Sequence, residues 1–169
     1  MTTTVLEVRD VTVRFGGVVA VNRASLTIKQ GELIGFVGPN GAGKTTLMRV
    51  ITGMVKANEG QVLLMGNELA GMAVNQRIRS GLALAQQIVQ PLRAMTLLQN
   101  VALACGAAKT DSPFTAMASY ERESENKRAL ELLSQVGLGE VADQEPAKLP
   151  LGYLKRLEVA RAMALNPKL

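Results

Sequence analysis

Apolar and polar positions nearly alternate at the start of the chain. Leu6, Val8, Val11, Val13 and Phe15 share one side, with one slip around Asp10. This period predicts a strand. Gly16 and Gly17 then predict a turn into residues 18–21. Alternation returns over 25–28, and 29–31 is a further turn. The continuous apolar run LIGFV at 33–37 predicts a buried strand. A further strand is expected over 61–65, bounded by Gly60 and Gly66, and a short one over 82–85.

Helical spacing appears in between and afterwards. Residues 46–51 predict a helix that Gly53 ends as a C-cap. A short helix is expected over 73–79. Thr96 is placed to cap a helix whose apolar side carries Leu97, Val101 and Ala104. Residues 106–118 are small, polar and proline-containing, which predicts a loop. Residues 120–136 predict a helix with Ala129, Leu130, Leu133 and Val136 on one side. Its charged side, with Glu121, Glu125, Lys127 and Arg128, reads as solvated. The last helix is expected over 150–164, with Pro150 tolerated in its first turn. The order is a β-rich half over 1–88 and a helical part over 89–160, within one domain spanning 1–169.

Composition narrows the class. The 169 residues are 47% hydrophobic and 20% charged, a globular balance. No apolar run approaches the roughly 18–20 residues that span a bilayer. The first ten residues lack a secretion signal, so a cytoplasmic location is expected. The single cysteine, Cys105, cannot form an internal disulfide and reads as a small buried apolar residue. Histidine is absent, which excludes histidine metal ligands and histidine general bases within these residues. The net charge of +5 is spread along the chain. With two tyrosines, three phenylalanines and no tryptophan, no base-stacking platform is expected, and no nucleic-acid partner.

The densest chemical signal is the octapeptide GPNGAGKT at 38–45. It follows the expected strand at 33–37 and precedes the expected helix at 46–51. Strand, glycine-rich loop and helix together make a phosphate site. Gly38, Gly41 and Gly43 let backbone N–H groups approach an anion, joined by those of Pro39-flanked Asn40, Ala42 and Thr46. The helix dipole points its positive end at the same place. Lys44 supplies a point charge for β- and γ-phosphates, and Thr45 a hydroxyl for Mg²⁺.

Two later segments extend the pattern. Residues 81–87, GLALAQQ, are followed by RAMTLLQNV at 93–101. Residues 149–153, LPLGY, are followed by LKRLEVAR. With the phosphate loop, these segments resemble the nucleotide-binding subunits of ATP-binding-cassette (ABC) transporters. The resemblance runs from about Leu6 to Leu169. It implies an α/β fold: a P-loop NTPase core with an antiparallel β subdomain and a helical subdomain. It also implies ATP and Mg²⁺ as ligands.

The resemblance gives roles to positions. Phe15 stands where the family stacks an aromatic on adenine, the alternative being a core phenylalanine. Val21 joins Phe15 and residues 38–46 in the implied ATP site. Gln87 falls on the family's glutamine, with Gln86 as the one-position alternative. That amide would touch Mg²⁺ and the attacking water. Lys44 and Gln87 are the implied catalytic residues, and Thr45 and Gln87 the implied metal contacts. Leu149, Pro150, Leu151, Gly152 and Tyr153 match the LSGGQ signature, which faces ATP held by a second such subunit. Here Pro150 replaces the serine, Leu151 a glycine and Tyr153 the glutamine. These departures resemble the branch that imports branched-chain or hydrophobic amino acids.

The family pattern continues past residue 169 with an apolar strand ending in Asp-Glu (Walker B), then a switch histidine. The chain is therefore expected to be truncated before that strand. Alone it is expected to bind nucleotide weakly and to hydrolyse it poorly. The implied partners are a second ATPase subunit, identical or not, and integral-membrane permease subunits. The implied location is the inner face of the cell membrane. The alternatives are a non-transport cassette ATPase acting in DNA repair or translation, and a non-catalytic ATP-binding fragment. The short stretch between Gln87 and Leu149 favours transport.

Overall fold

A computed structural model describes residues 3–85, 90–107 and 123–169 of the chain. The described residues form two compact units, one from those within 1–82 together with 168–169 and the other from those within 83–167.

The first unit is built on an antiparallel sheet. Strands β1 (Thr4–Phe15) and β2 (Val18–Lys29) form a hairpin around Gly16 and Gly17. The two expected strands at 18–21 and 25–28 are thus one. β3 (Glu59–Leu64) pairs with the other edge of β1, and β4 (Asn67–Glu68) with β3, giving the order β2-β1-β3-β4. The slip at Asp10 is a real irregularity. Asp10 has a φ of 48°, and the register of β1 shifts against both neighbours there. Opposite it, Gly60 has a φ of 87°, and a Cβ there would collide with the backbone at Arg9 and Asp10. Leu6, Val8, Val11 and Val13 are buried as the alternation requires. Helix α1 (Lys44–Thr52) lays Leu47, Val50 and Ile51 into the same core. Gly53 caps it in the left-handed region, donating its N–H to Val50 O. Helix α2 (Val74–Arg79) follows.

Two expected strands are corrected. Residues 33–37 form no ladder and are not buried: Leu33 is 100% exposed and Val37 97%. The edges of β1 and β3 are already taken by the antiparallel meander. No described strand offers its N–H and C=O groups to 33–37, and a run without ladder partners cannot be an interior strand. Residues 82–85 likewise form no strand, although Leu82 is buried. Instead Gly81 O accepts the N–H groups of Lys168 and Leu169, at 2.7 and 3.1 Å.

The second unit is helical. Helix α3 (Leu97–Cys105) starts at Thr96, whose side chain accepts the N–H of Gln99, while Gln99 Oε1 accepts the N–H of Thr96. This reciprocal cap confirms the expected start. Helix α4 (Glu123–Gln135) covers the described part of the helix expected over 120–136; Tyr120 and Glu121 lie outside the described residues. Helix α5 (Leu151–Ala164) has Pro150 as its N-cap rather than in its first turn. Leu97, Val101, Ala129, Leu132, Leu133, Leu157 and Ala160 make the core.

The face assigned to α4 needs two corrections. Leu130 is 45% exposed, whereas Leu132 is buried. Glu125, read as solvated, is buried. It lies one turn before Ala129, so helical spacing puts it on the core face. There it accepts a hydrogen bond from Ser124 Oγ at 2.9 Å. Cys105 packs against this core but is only half-buried, where its sequence reading expected a buried residue. Burial pushes its thiol above the ordinary range, with Arg128 opposing and Glu125 reinforcing the shift.

Among the described residues, no helix is long and apolar enough to cross a membrane.

Asn100 is 1% exposed and satisfied on every side. Its Oδ1 accepts the N–H of Leu92, and its Nδ2 donates to the carbonyls of Leu92, Met95 and Thr96. Asn100→Ala strips Leu92 N–H and Met95 O of their described partner, while Leu92 O and Thr96 O keep a backbone N–H, and is expected to destabilise the protein by about 2–3 kcal/mol, measured by urea unfolding. Cys105 is expected to alkylate more slowly than a free cysteine at neutral pH. Its rate should climb only above the ordinary thiol range, because the thiolate is the reacting form. A pH series with iodoacetamide checks this.

Candidate nucleotide site

Residues 38–45 lead directly into α1. Gly41 and Gly43 have φ of 87° and 83°, the left-handed region that favours glycine. Gly43 is needed for a second reason. A Cβ there would run into Ala20 O and lie 3.1 Å from Val21 Cγ2. The loop therefore closes by laying bare backbone on β2. Leu47 N–H then donates to Gly43 O at 2.9 Å, which opens the helix.

Lys44 folds back over the loop. Its Nζ donates to Gly38 O at 2.6 Å and to Pro39 O at 2.7 Å. An ammonium has three donors, so one N–H is left to point elsewhere. Two carbonyl dipoles do not neutralise its charge. Ala42 N–H donates to Pro39 O at 3.3 Å. No described hydrogen bond engages the N–H groups of Gly41, Gly43, Lys44 or Thr45. These are orphan donors at a helix start, beside a cation, and they suit an anion. Thr45 is exposed with its hydroxyl available, and Thr46 is half-buried. Among the described residues, no group of three acidic, cysteine or histidine side chains could hold a metal.

Val21 lies against this loop, and Phe15 lies at the hairpin end of the same pair of strands. Val21 is buried, touches the Gly43 position and pairs with Val13 of β1. Phe15 is two residues further along β1, about 7 Å at strand spacing. It is 53% exposed, so it is not a core phenylalanine. Val18 and Val19 are exposed around it. Gln86 and Gln87 lie outside the described residues.

The signature positions belong to the second unit. Leu149 ends a short 3₁₀ turn (Pro146–Lys148) and is half-buried. Pro150 offers no side-chain cap, but its carbonyl accepts the N–H of Tyr153 at 2.9 Å. Leu151 and Gly152 are exposed, and the space around Gly152 is open. Tyr153 is half-buried, with the Arg156 guanidinium 4.6 Å above its ring.

Arg77 was missed by sequence reasoning. Helical spacing from Val74 points equally to Ile78, yet Ile78 is exposed and Arg77 is 8% exposed. Burial without a carboxylate pushes its pKa below the ordinary value. Asn100 also carried no signal, because a polar residue beside Val101 looks like surface until its four bonds are seen.

A family profile described as "ABC transporter" matches residues 21–169. This chain belongs to the ABC transporter family. It is 37% identical over 167 residues to the methionine import ATP-binding protein MetN of Rhizobium johnstonii, covering 98% of this chain and 43% of MetN. It is 34% identical over 174 residues to the high-affinity branched-chain amino acid transport ATP-binding protein LivG of Salmonella typhimurium, covering all of this chain and 68% of LivG. The dimeric post-hydrolysis ATP-binding cassette MJ0796, bound to ADP and Pi, has the same fold. It superimposes with a TM-score of 0.79 at 27% identity, covering 96% of this chain and 70% of that one. The ABC chain described here thus has the α/β cassette fold, with its antiparallel sheet and its helices, and spans less than half of one relative and about two thirds of the others.

In this ABC chain the loop depends on the missing side chain at 43. Gly43→Ala combines a forbidden φ with a collision against β2. It is expected to destabilise the first unit by about 2–4 kcal/mol and to abolish ATP binding, measured by thermal unfolding and by equilibrium binding of ATP.

Proposed function

We propose that the chain is the N-terminal part of an ABC subunit that binds and hydrolyses ATP to power import of branched-chain or other hydrophobic amino acids. One observation carries the nucleotide reading. The Lys44 ammonium rests in a glycine turn in which the N–H groups of Gly41, Gly43, Lys44 and Thr45 have no described acceptor. In this reading, Lys44 and the backbone N–H groups of Gly38, Asn40, Gly41, Ala42, Gly43, Thr45 and Thr46, in a turn that Pro39 shapes, hold the phosphates. Phe15 and Val21 take the adenine side, which the exposure of Phe15 supports. Thr45 and Gln87 would hold Mg²⁺, which supplies charge neutralisation between phosphate oxygens. The exposed Thr45 hydroxyl fits that role, as a hard ion needs few protein oxygens when phosphates and water supply the rest.

Leu149, Pro150, Leu151, Gly152 and Tyr153 would face ATP on a second ATPase subunit. The open space at Gly152 supports close approach, as does the dimeric state of the similar cassette. Permease subunits in the membrane complete the assembly, with the chain peripheral on the cytoplasmic side. Residues 1–88 would act as the core with its β subdomain, and 89–160 as the helical subdomain. We further propose that sequence beyond Leu169 supplies the Asp-Glu strand that covers 33–37. The bare apolar surface of Leu33 and Val37 supports this, as do the paired N–H groups of Lys168 and Leu169 on Gly81 O. The names of LivG and MetN support the cargo class.

Lys44→Ala in the full-length protein is expected to weaken ATP binding by about 10–100-fold, the loss of one or more charge-assisted bonds. Isothermal titration reads this directly, and unchanged affinity would remove the site. For the cargo, cells lacking the gene should lose uptake of labelled leucine, isoleucine and valine or of methionine. Intact uptake of all four refutes the cargo class.

A further inference from the structure

Helix α1 carries Lys44 and Thr45, and each of its ends is clamped. At the N-terminal end Gly43 lies on Ala20 and Val21. At the C-terminal end the clamp is Arg77. Its Nη1 donates to Val50 O at 2.7 Å and to Ile51 O at 2.8 Å, both in the last turn of α1. Its Nη2 donates to Leu69 O at 2.8 Å, and its Nε to Met72 O at 3.3 Å. One guanidinium thus ties the end of α1 to the turn between β4 and α2. All four described acceptors are backbone carbonyls. Those of α1 lie at the negative end of its dipole, which favours a cation.

Gly53 shows how tightly the guanidinium is seated. A Cβ there would lie 2.7 Å from Arg77 Nε and 3.0 Å from Cδ. The residue that caps α1 must therefore lack a side chain, both for its φ of 85° and to admit Arg77.

A helix of nine residues is about 13–14 Å long. A tilt of about 5° at one end displaces the other by about 1 Å over that length. A displacement of about 1 Å at a reacting group is enough to cost a site about 100-fold in rate. The clamp at position 77 is therefore mechanically connected to the phosphate loop, although it never touches it.

We infer that Arg77 is a positioning residue of the nucleotide site, setting the axis of α1 and so the placement of Lys44 and Thr45. The inference rests on the ATP-binding reading of that loop. Lysine keeps the charge but cannot fork across four carbonyls. Methionine keeps much of the bulk and removes the donors.

The test uses Arg77→Met and Arg77→Lys in the full-length protein. Each is measured for melting temperature without nucleotide, and for ATP affinity at a temperature where circular dichroism shows it fully folded. Both variants should melt lower. The folded Arg77→Met protein should bind ATP about ten-fold more weakly, and Arg77→Lys should recover only part of that loss. A purely structural arginine would lower the melting temperature and leave the affinity of the folded protein unchanged; that result overturns the inference. Should Arg77→Met fail to fold, Arg77→Lys takes its place: weaker ATP binding by the folded variant supports the role, and unchanged binding overturns it. Failure of the wild-type protein to bind ATP refutes the functional reading itself. Normal wild-type binding with unchanged variant affinity refutes only the role of Arg77.

Discussion

The phosphate loop depends on one close approach, the bare backbone of Gly43 against the carbonyl of Ala20 and the side chain of Val21. This contact joins the glycine turn to the antiparallel sheet. It fixes where α1 begins and therefore where the N–H groups of its first turn point. Everything attributed to the loop follows from that seating. Lys44 can fold back onto Gly38 and Pro39 only because the turn is tight. β2, the surface the loop rests on, is also the strand that pairs with Phe15 through Val18.

The first unit solves a polar problem with unusual economy. Four carbonyls converge around the end of α1; Val50 O and Leu69 O each also accept one backbone N–H, and Arg77 donates to all four. A buried guanidinium is costly unless its N–H groups are satisfied. Here the carbonyls at a helix C-terminus meet that condition. The second unit uses the same logic at Asn100, where one amide holds the backbone of residues 92–96 ahead of α3. In both cases a single planar side chain replaces regular secondary structure as the partner of irregular backbone.

The signature segment departs from its family pattern in a way that the structure makes physical. Proline at the N-cap removes both a side-chain acceptor and a donor. The segment keeps a bare, exposed backbone at Gly152, flanked by the exposed Leu151 and by Tyr153 stacked under Arg156. Contact from this surface to an anion would come from backbone N–H groups, with aromatic and aliphatic surface around them.

The chain's own order of residues was enough to read whatever depends on neighbours in sequence. The alternation in β1 with its slip at Asp10, the Thr96 cap, the Gly53 stop and the glycine-lysine loop were all legible, because local backbone preference and side-chain period decide them. Tertiary structure alone decided what depends on partners. Residues 33–37 are apolar enough for an interior strand, yet a strand exists only where another ladder meets it, and no described segment does. Arg77 and Glu125 are charged, and charge argues for solvent; packing buried both, since carbonyls converge on one and helical spacing carries the other inward. Gly43 could be read as a turn residue, but that its missing side chain makes room for β2 was visible only once two distant parts of the chain had come together.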